Sequence, residues 1–147
     1  MNEDHALANP LLNEHQHRAL STRLSSIERE LHKAERLIKG DLAKGELFET
    51  TSDITQAESE ELLKIIHAAR QVIADLKSQL ALTVKKQDVR AWVLGHFSIV
   101  WTILEDCHAN KLGGFGEVSP ELSQSLDPKI DQLIRMVNSI NKRVTTH

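Results

Sequence analysis

The chain has 147 residues, 40% hydrophobic, 27% charged and only 3% aromatic, with a formal net charge of −3. That length allows one domain of ordinary size or a helical hairpin joined to a second small bundle, and the composition is globular. Few aromatics and no Tyr argue against a β-sandwich or barrel and against the stacking platforms of single-strand nucleic-acid binders, and the interleaved charges leave no basic patch to neutralise phosphates.

The single cysteine, Cys107, excludes an intrachain disulfide, which fits a reducing compartment. The run Met1 to His15 carries Glu3, Asp4 and His5 and lacks a basic segment followed by an apolar one, so an unprocessed, cytoplasmic chain is expected. Val89 to Leu104 is the most apolar stretch. It is shorter than the roughly 20 residues of a membrane span and carries Arg90 and His96, so a core helix is expected there and no membrane contact.

In chain order, the first helix is expected over Asn13 to Lys39. Leu20, Leu24, Ile27, Leu31, Ala34 and Ile38 alternate in spacings of four and three, the 3.5-residue period of a coiled-coil seam. Gly40 supplies its stop signal. Gly40 to Ile54 reads as a long loop, and its apolar Leu42, Leu47, Phe48 and Ile54 predict that part of it folds back on the helices. Thr55 and Glu58 form a capping-box pattern ahead of a second helix, whose Leu62, Ile66, Ala69, Ile73, Leu76 and Leu80 repeat the four-three spacing. Matching seams joined by a loop predict an antiparallel hairpin roughly 40 Å long. Neither seam carries a charge or Asn that would fix register or oligomer state.

The second seam loses phase after Leu80 and meets Lys85, Lys86, Gln87 and Asp88, so a break is placed there with Asp88 as N-cap of a third helix. That helix, Val89 to Asn110, is apolar on nearly every side and holds both tryptophans, Trp92 and Trp101. Such a helix belongs at the centre of a bundle, surrounded by others, and Gly113, Gly114 and Gly116 are expected to end it. Ser119-Pro120 and Asp127-Pro128 are two helix-start signals. Ile130, Leu133, Val137, Ile140 and Val144 form the stripe of the helix after the second. Leu122 and Leu126 extend it backward, so one bent helix from Pro120 is equally compatible.

The expected fold is therefore all-α: an antiparallel helical bundle of about four main helices. Residues 1–12 are a flexible N-terminus, 13–82 a long coiled-coil-like hairpin, and 88–145 a shorter C-terminal helix pair packing with it, as one bundle domain.

No catalytic or cofactor-binding pattern emerges, and no cofactor is expected. Two Glu-x-x-His pairs, Glu14 with His17 and Glu105 with His108, place ligand types on one helix face, as in carboxylate-bridged di-metal bundles. The two further core glutamates such a site needs are missing from the second and fourth helices. With His96 inside the apolar helix, these five residues are the metal candidates, and exposed pairs or hydrogen-bonded core histidines the plainer account. His108, Lys111 and Gly113 resemble the histidine, lysine and glycine cluster of histidine-phosphotransfer helical bundles, with a spacing that departs by one residue and a Gly-Gly pair where that family's helix continues. The resemblance implies a phosphorylatable His108. Gly113 to Gly116 reads as a helix end rather than a phosphate cradle, since it follows a helix and not a strand.

The leading expectation is a non-enzymatic protein–protein interaction module: an adaptor, regulator or assembly subunit. Its interaction seam comprises Leu20, Leu24, Ile27, Leu31, Leu62, Ile66, Ile73 and Leu76, and its partner is another helical protein or itself, a dimer foremost. A metal-binding bundle enzyme or sensor, and a phosphotransfer-like signalling bundle, are the alternatives.

Overall fold

The computed structural model describes residues 11–145, and these form an all-helical chain with no strand among them. Four α-helices follow in order: α1 (Glu14–Ile38), α2 (Gln56–Leu80), α3 (Val89–Glu105) and α4 (Pro120–Thr145), with a 3₁₀ helix (Ala109–Phe115) between the last two. None is long and apolar enough to cross a membrane. The chain divides into two compact units, Met1–Lys85 and Lys86–His147. The segment expected to be a flexible N-terminus lies, apart from Leu11 and Leu12, outside the described residues.

In the first unit both helices begin on capping boxes. Asn13 accepts from the Gln16 amide while the Gln16 side chain accepts from the Asn13 amide, and Thr55 and Glu58 repeat the exchange, so two otherwise orphaned amides are satisfied at each start. Both helices end by the same closure. Past α1, the Gly40 amide donates to Leu37 and the Asp41 amide to Arg36. Past α2, the Leu82 amide donates to Lys77, which folds buried Leu82 back against the helices. Each closure needs a left-handed residue: Gly40 at φ +95° and Ala81 at φ +51°.

His17, in the first turn of α1, approaches the Ala81 carbonyl just past the end of α2 at 2.7 Å. Glu35, in the last turn of α1, binds Arg70 in the middle of α2 at 3.1 Å. These ties make α1 and α2 run in opposite directions. Ile66 and Ser21 are the buried residues of the two helices. The Ser21 hydroxyl has no hydrogen-bond partner.

The connecting loop does not fold back on the helices as its apolar residues suggest. It closes on itself instead: the Gly45 amide donates to Phe48, the Thr50 amide to Ala43, and Lys44 and Glu49 form an isolated bridge. Phe48 lies over Gly45, where any added Cβ would meet its ring, and Leu47 is 99% exposed.

In the second unit Asp88 caps α3 by accepting from the Arg90 amide. α3 ends at Glu105, not at the glycines. His108 is extended (φ −63°, ψ 151°), and the amide of Ala109 is taken by the carboxylate of Asp127, which starts a new 3₁₀ turn in which Gly113 and Gly114 lie. Asp127 therefore does not cap a helix. α4 runs unbroken from Pro120 with Pro128 inside it, where the missing N–H leaves out one helical hydrogen bond. Arg90 at the start of α3 donates to the Val144 carbonyl at the end of α4, and His108 meets Asp131, so this pair too runs in opposite directions. The expectation that α3 is enclosed fails: none of its residues is buried. The buried residues of the unit are Ala109, Ile130 and Val137.

The two closures predict opposite outcomes for one exchange. Ala81→Gly relieves left-handed strain and raises stability by about 0.5–1 kcal/mol, whereas Gly40→Ala, with open space around its Cβ, loses about 1 kcal/mol through backbone strain alone. Urea unfolding midpoints of the two variants against the parent chain measure both.

Candidate interaction surface

The side chains of α3 fall into rows. Val93, Phe97, Val100 and Leu104, at four-three-four spacing, form the half-buried row that packs toward α4. Immediately before each lies an exposed residue: Trp92, His96, Ile99 and Ile103, with Val89 continuing the row by one turn. One residue is a 100° step around a helix, so this second apolar row stands beside the first at roughly a right angle. Trp92 is 43%, Ile99 60% and Ile103 57% exposed. His96 stacks on Trp92 with ring centroids 3.9 Å apart, and its Nδ1 sits 2.9 Å from the Trp92 carbonyl, so the imidazole lies flat in the row. Apart from His96, no residue of α3 between Arg90 and Glu105 is ionisable.

α4 has the same construction. Ile130, Ile134, Val137, Asn141 and Val144 form its inward row, and Lys129, Leu133, Met136, Ile140 and Arg143 precede them one by one as an exposed row. The single stripe read from the sequence is thus divided. Ile130, Val137 and Val144 face α3, while Leu133 and Ile140 join Met136 on the open row. For two facing helices that run in opposite directions, rows offset in the same rotational sense lie on the same side of the pair. The exposed rows of α3 and α4 together form one apolar face, which a two-helix unit has no third helix to cover.

At the end of this unit His108 joins α3, the 3₁₀ turn and α4. Its Nε2 lies 2.8 Å from Asp131 Oδ1 and its Nδ1 3.1 Å from the Glu105 carbonyl, with the Glu105 carboxylate at 3.8 Å. Both ring nitrogens face oxygen acceptors, so the doubly protonated ring satisfies both. The Asp131 hydrogen bond foremost, against an opposing desolvation, raises the His108 pKa above the ordinary histidine value. Asp127 is held below the ordinary carboxylate value, first by the Ala109 amide and further by the Ser123 hydroxyl and the His108 charge. Cys107 is half-buried, its thiol turned to the Ile103 carbonyl.

The residues singled out from the sequence take up separate duties. Glu14 pairs with Arg18, His17 ties the end of α2, His96 stacks on Trp92, and Glu105 and His108 belong to the cluster just described. No group of three or more His, Cys, Asp or Glu suited to a metal ion occurs among the described residues. His108 lies just past α3 rather than mid-helix, with Nε2 against Asp131. In the first unit, Leu20, Leu24, Leu31, Ile73 and Leu76 are half-buried, Ile66 is buried, and Ile27 and Leu62 are exposed. A cleft lined by Ser25, Glu28, Arg29, His32, Arg70 and Lys85 opens beside this seam, and Arg70 within it is already held by Glu35.

The second row of α3 and the Asp127 and Asp131 contacts escaped sequence reading. Val89, Trp92, His96, Ile99 and Ile103 do carry a heptad spacing, but in a helix apolar on all sides nothing distinguishes one row from another. The raised His108 pKa means that the proton contributes stability fully below the ordinary value of about 6.5, and that this is lost as pH rises through the higher folded value. Urea unfolding between about pH 5.5 and 8.5 is therefore expected to show stability falling with pH, with a smaller fall in Asp131→Asn; identical slopes contradict the assignment.

No protein-family model, curated protein or solved structure matches this chain.

Proposed function

We propose that this chain is a non-enzymatic helical interaction module, an adaptor, regulator or assembly subunit of the cytoplasm, whose working surface is the apolar face of α3 and α4. One observation carries the reading: the most apolar helix in the chain has no buried residue, with Trp92, Ile99 and Ile103 lying open beside Leu133 and Met136. Apolar faces of this kind are costly in water and mark interaction sites on stable proteins. In this reading the α1–α2 pair is a coiled-coil-like hairpin, the α3–α4 pair is half of an antiparallel bundle, and further helices from a protein partner or a second copy complete it. A net charge of −3 and an apolar face that is charged only at its ends favour protein over nucleic acid as the partner class.

The function is tested with the tagged chain as bait, offered both a lysate of its source cell and its own untagged copy. Retention of a specific protein or of the copy is expected, with at least a tenfold loss, roughly 1.4 kcal/mol, in an Ile99→Glu/Ile103→Glu variant of unchanged circular dichroism. Equal retention by parent and variant, or none by the parent, overturns it.

A further inference from the structure

We infer that the occupant of this face is a second copy of the same chain, docked about a two-fold axis parallel to the helices so that α3 of each copy lies antiparallel on α4 of the other. The inference rests on the interaction-module reading and adds the partner to it.

Such an axis keeps every residue at its own height along the bundle, so the α3 row meets the α4 row of the partner in the register that the two helices already hold within a unit. That register is set by Arg90 beside Val144 and Ala109 beside Asp127. At those heights Ile103 falls against the partner's Leu133, Ile99 against the partner's Met136, and His96 against the partner's Ile140. The apolar stretches of the two rows therefore coincide in length and level. The ends of the rows are complementary in charge and type: exposed Asp106, just past the end of α3 and three residues after Ile103, meets the partner's Lys129, and Trp92 meets the partner's Arg143, a guanidinium over an indole face. Each contact occurs twice, as an isologous interface requires. All four helices then alternate in direction around a shared core, the up-down arrangement of a four-helix bundle.

The extent of the face suits this occupant. Val89, Ile99, Ile103 and Met136 are each more than half exposed, and Trp92 and Leu133 nearly so. Together they offer several hundred Å² of apolar surface per copy, on the scale of the roughly 800 Å² per partner of a standard stable interface.

Sedimentation of the full-length chain over about 1–100 μM tests it, with a dimer of micromolar or lower Kd expected. Ile99→Glu buries a charge in the interface and is expected to raise Kd at least about 100-fold. The decisive set is a charge exchange. Asp106→Lys and Lys129→Asp each set like charges against each other at two places and are expected to weaken their own dimers by about three- to tenfold, while an equimolar mixture of the two variants recovers the parent affinity as a heterodimer. A merely structural role for either residue gives no recovery on mixing. A chain that is monomeric at about 100 μM, or a dimer indifferent to Ile99→Glu and to the charge exchange, overturns the inference. A monomer that still holds a lysate protein through Ile99 and Ile103 leaves the module reading standing; a monomer that holds none overturns both.

Discussion

An α-helix in a two-helix unit has one neighbour, and one neighbour covers one stripe. The second unit follows from applying that constraint to a helix that is apolar on nearly all sides. Val93, Phe97, Val100 and Leu104 find cover against α4, and the remaining apolar residues of α3 do not. The core is correspondingly small, with Ala109, Ile130 and Val137 as its buried members, and no large side chain in the described chain is fully enclosed. Burial of apolar area is the main favourable term in folding, so a unit with so little of it gains heavily from anything that covers its open side.

With little core to set the geometry, polar ties at the helix ends take that part. In the first unit His17 reaches the carbonyl of Ala81, and Arg70 bridges to Glu35. In the second, Arg90 reaches Val144, Asp127 takes the Ala109 amide, and Asp131 takes His108. The seams consist of interchangeable aliphatic residues that tolerate sliding by a turn. The end ties do not, because each joins a fixed donor to a fixed acceptor. Register in both pairs is thus held from the ends inward. The His108 cluster belongs to this framework: the same contacts that raise the pKa of His108 and lower that of Asp127 hold the 3₁₀ turn against α4.

Elements dictated by local chemistry were legible in the sequence. The capping exchange at Thr55, the left-handed stop at Gly40, the break before Asp88 and the all-helical class follow from residues within a few positions of one another. Errors arise where a distant group competes. α3 stops at Glu105 because Asp127, 18 residues from Ala109, captures its amide, and spacing alone cannot announce that. The same capture removes Asp127 from the helix-start role that its position before Pro128 suggests. In the loop the apolar residues Leu47 and Phe48 imply burial, whereas a tight closure over Gly45 satisfies the backbone first. For the surface itself, apolarity was readable and direction was not. The stripe on α4 contained residues of both its rows, separable only once the partner helix was placed.

Both tryptophans of the chain stand on α3, one on the open row and one, Trp101, on the opposite flank, and there is no tyrosine. Indole emission from this protein therefore comes entirely from one helix, and the first unit is silent in it. The apolar face has its own spectroscopic witness: Trp92, stacked on His96 within that face, responds when the face passes from water to a dry contact, while Trp101 provides a reference on the far side of the same helix. Assembly at this surface registers in the native chain's ultraviolet emission, with no label attached and no residue replaced.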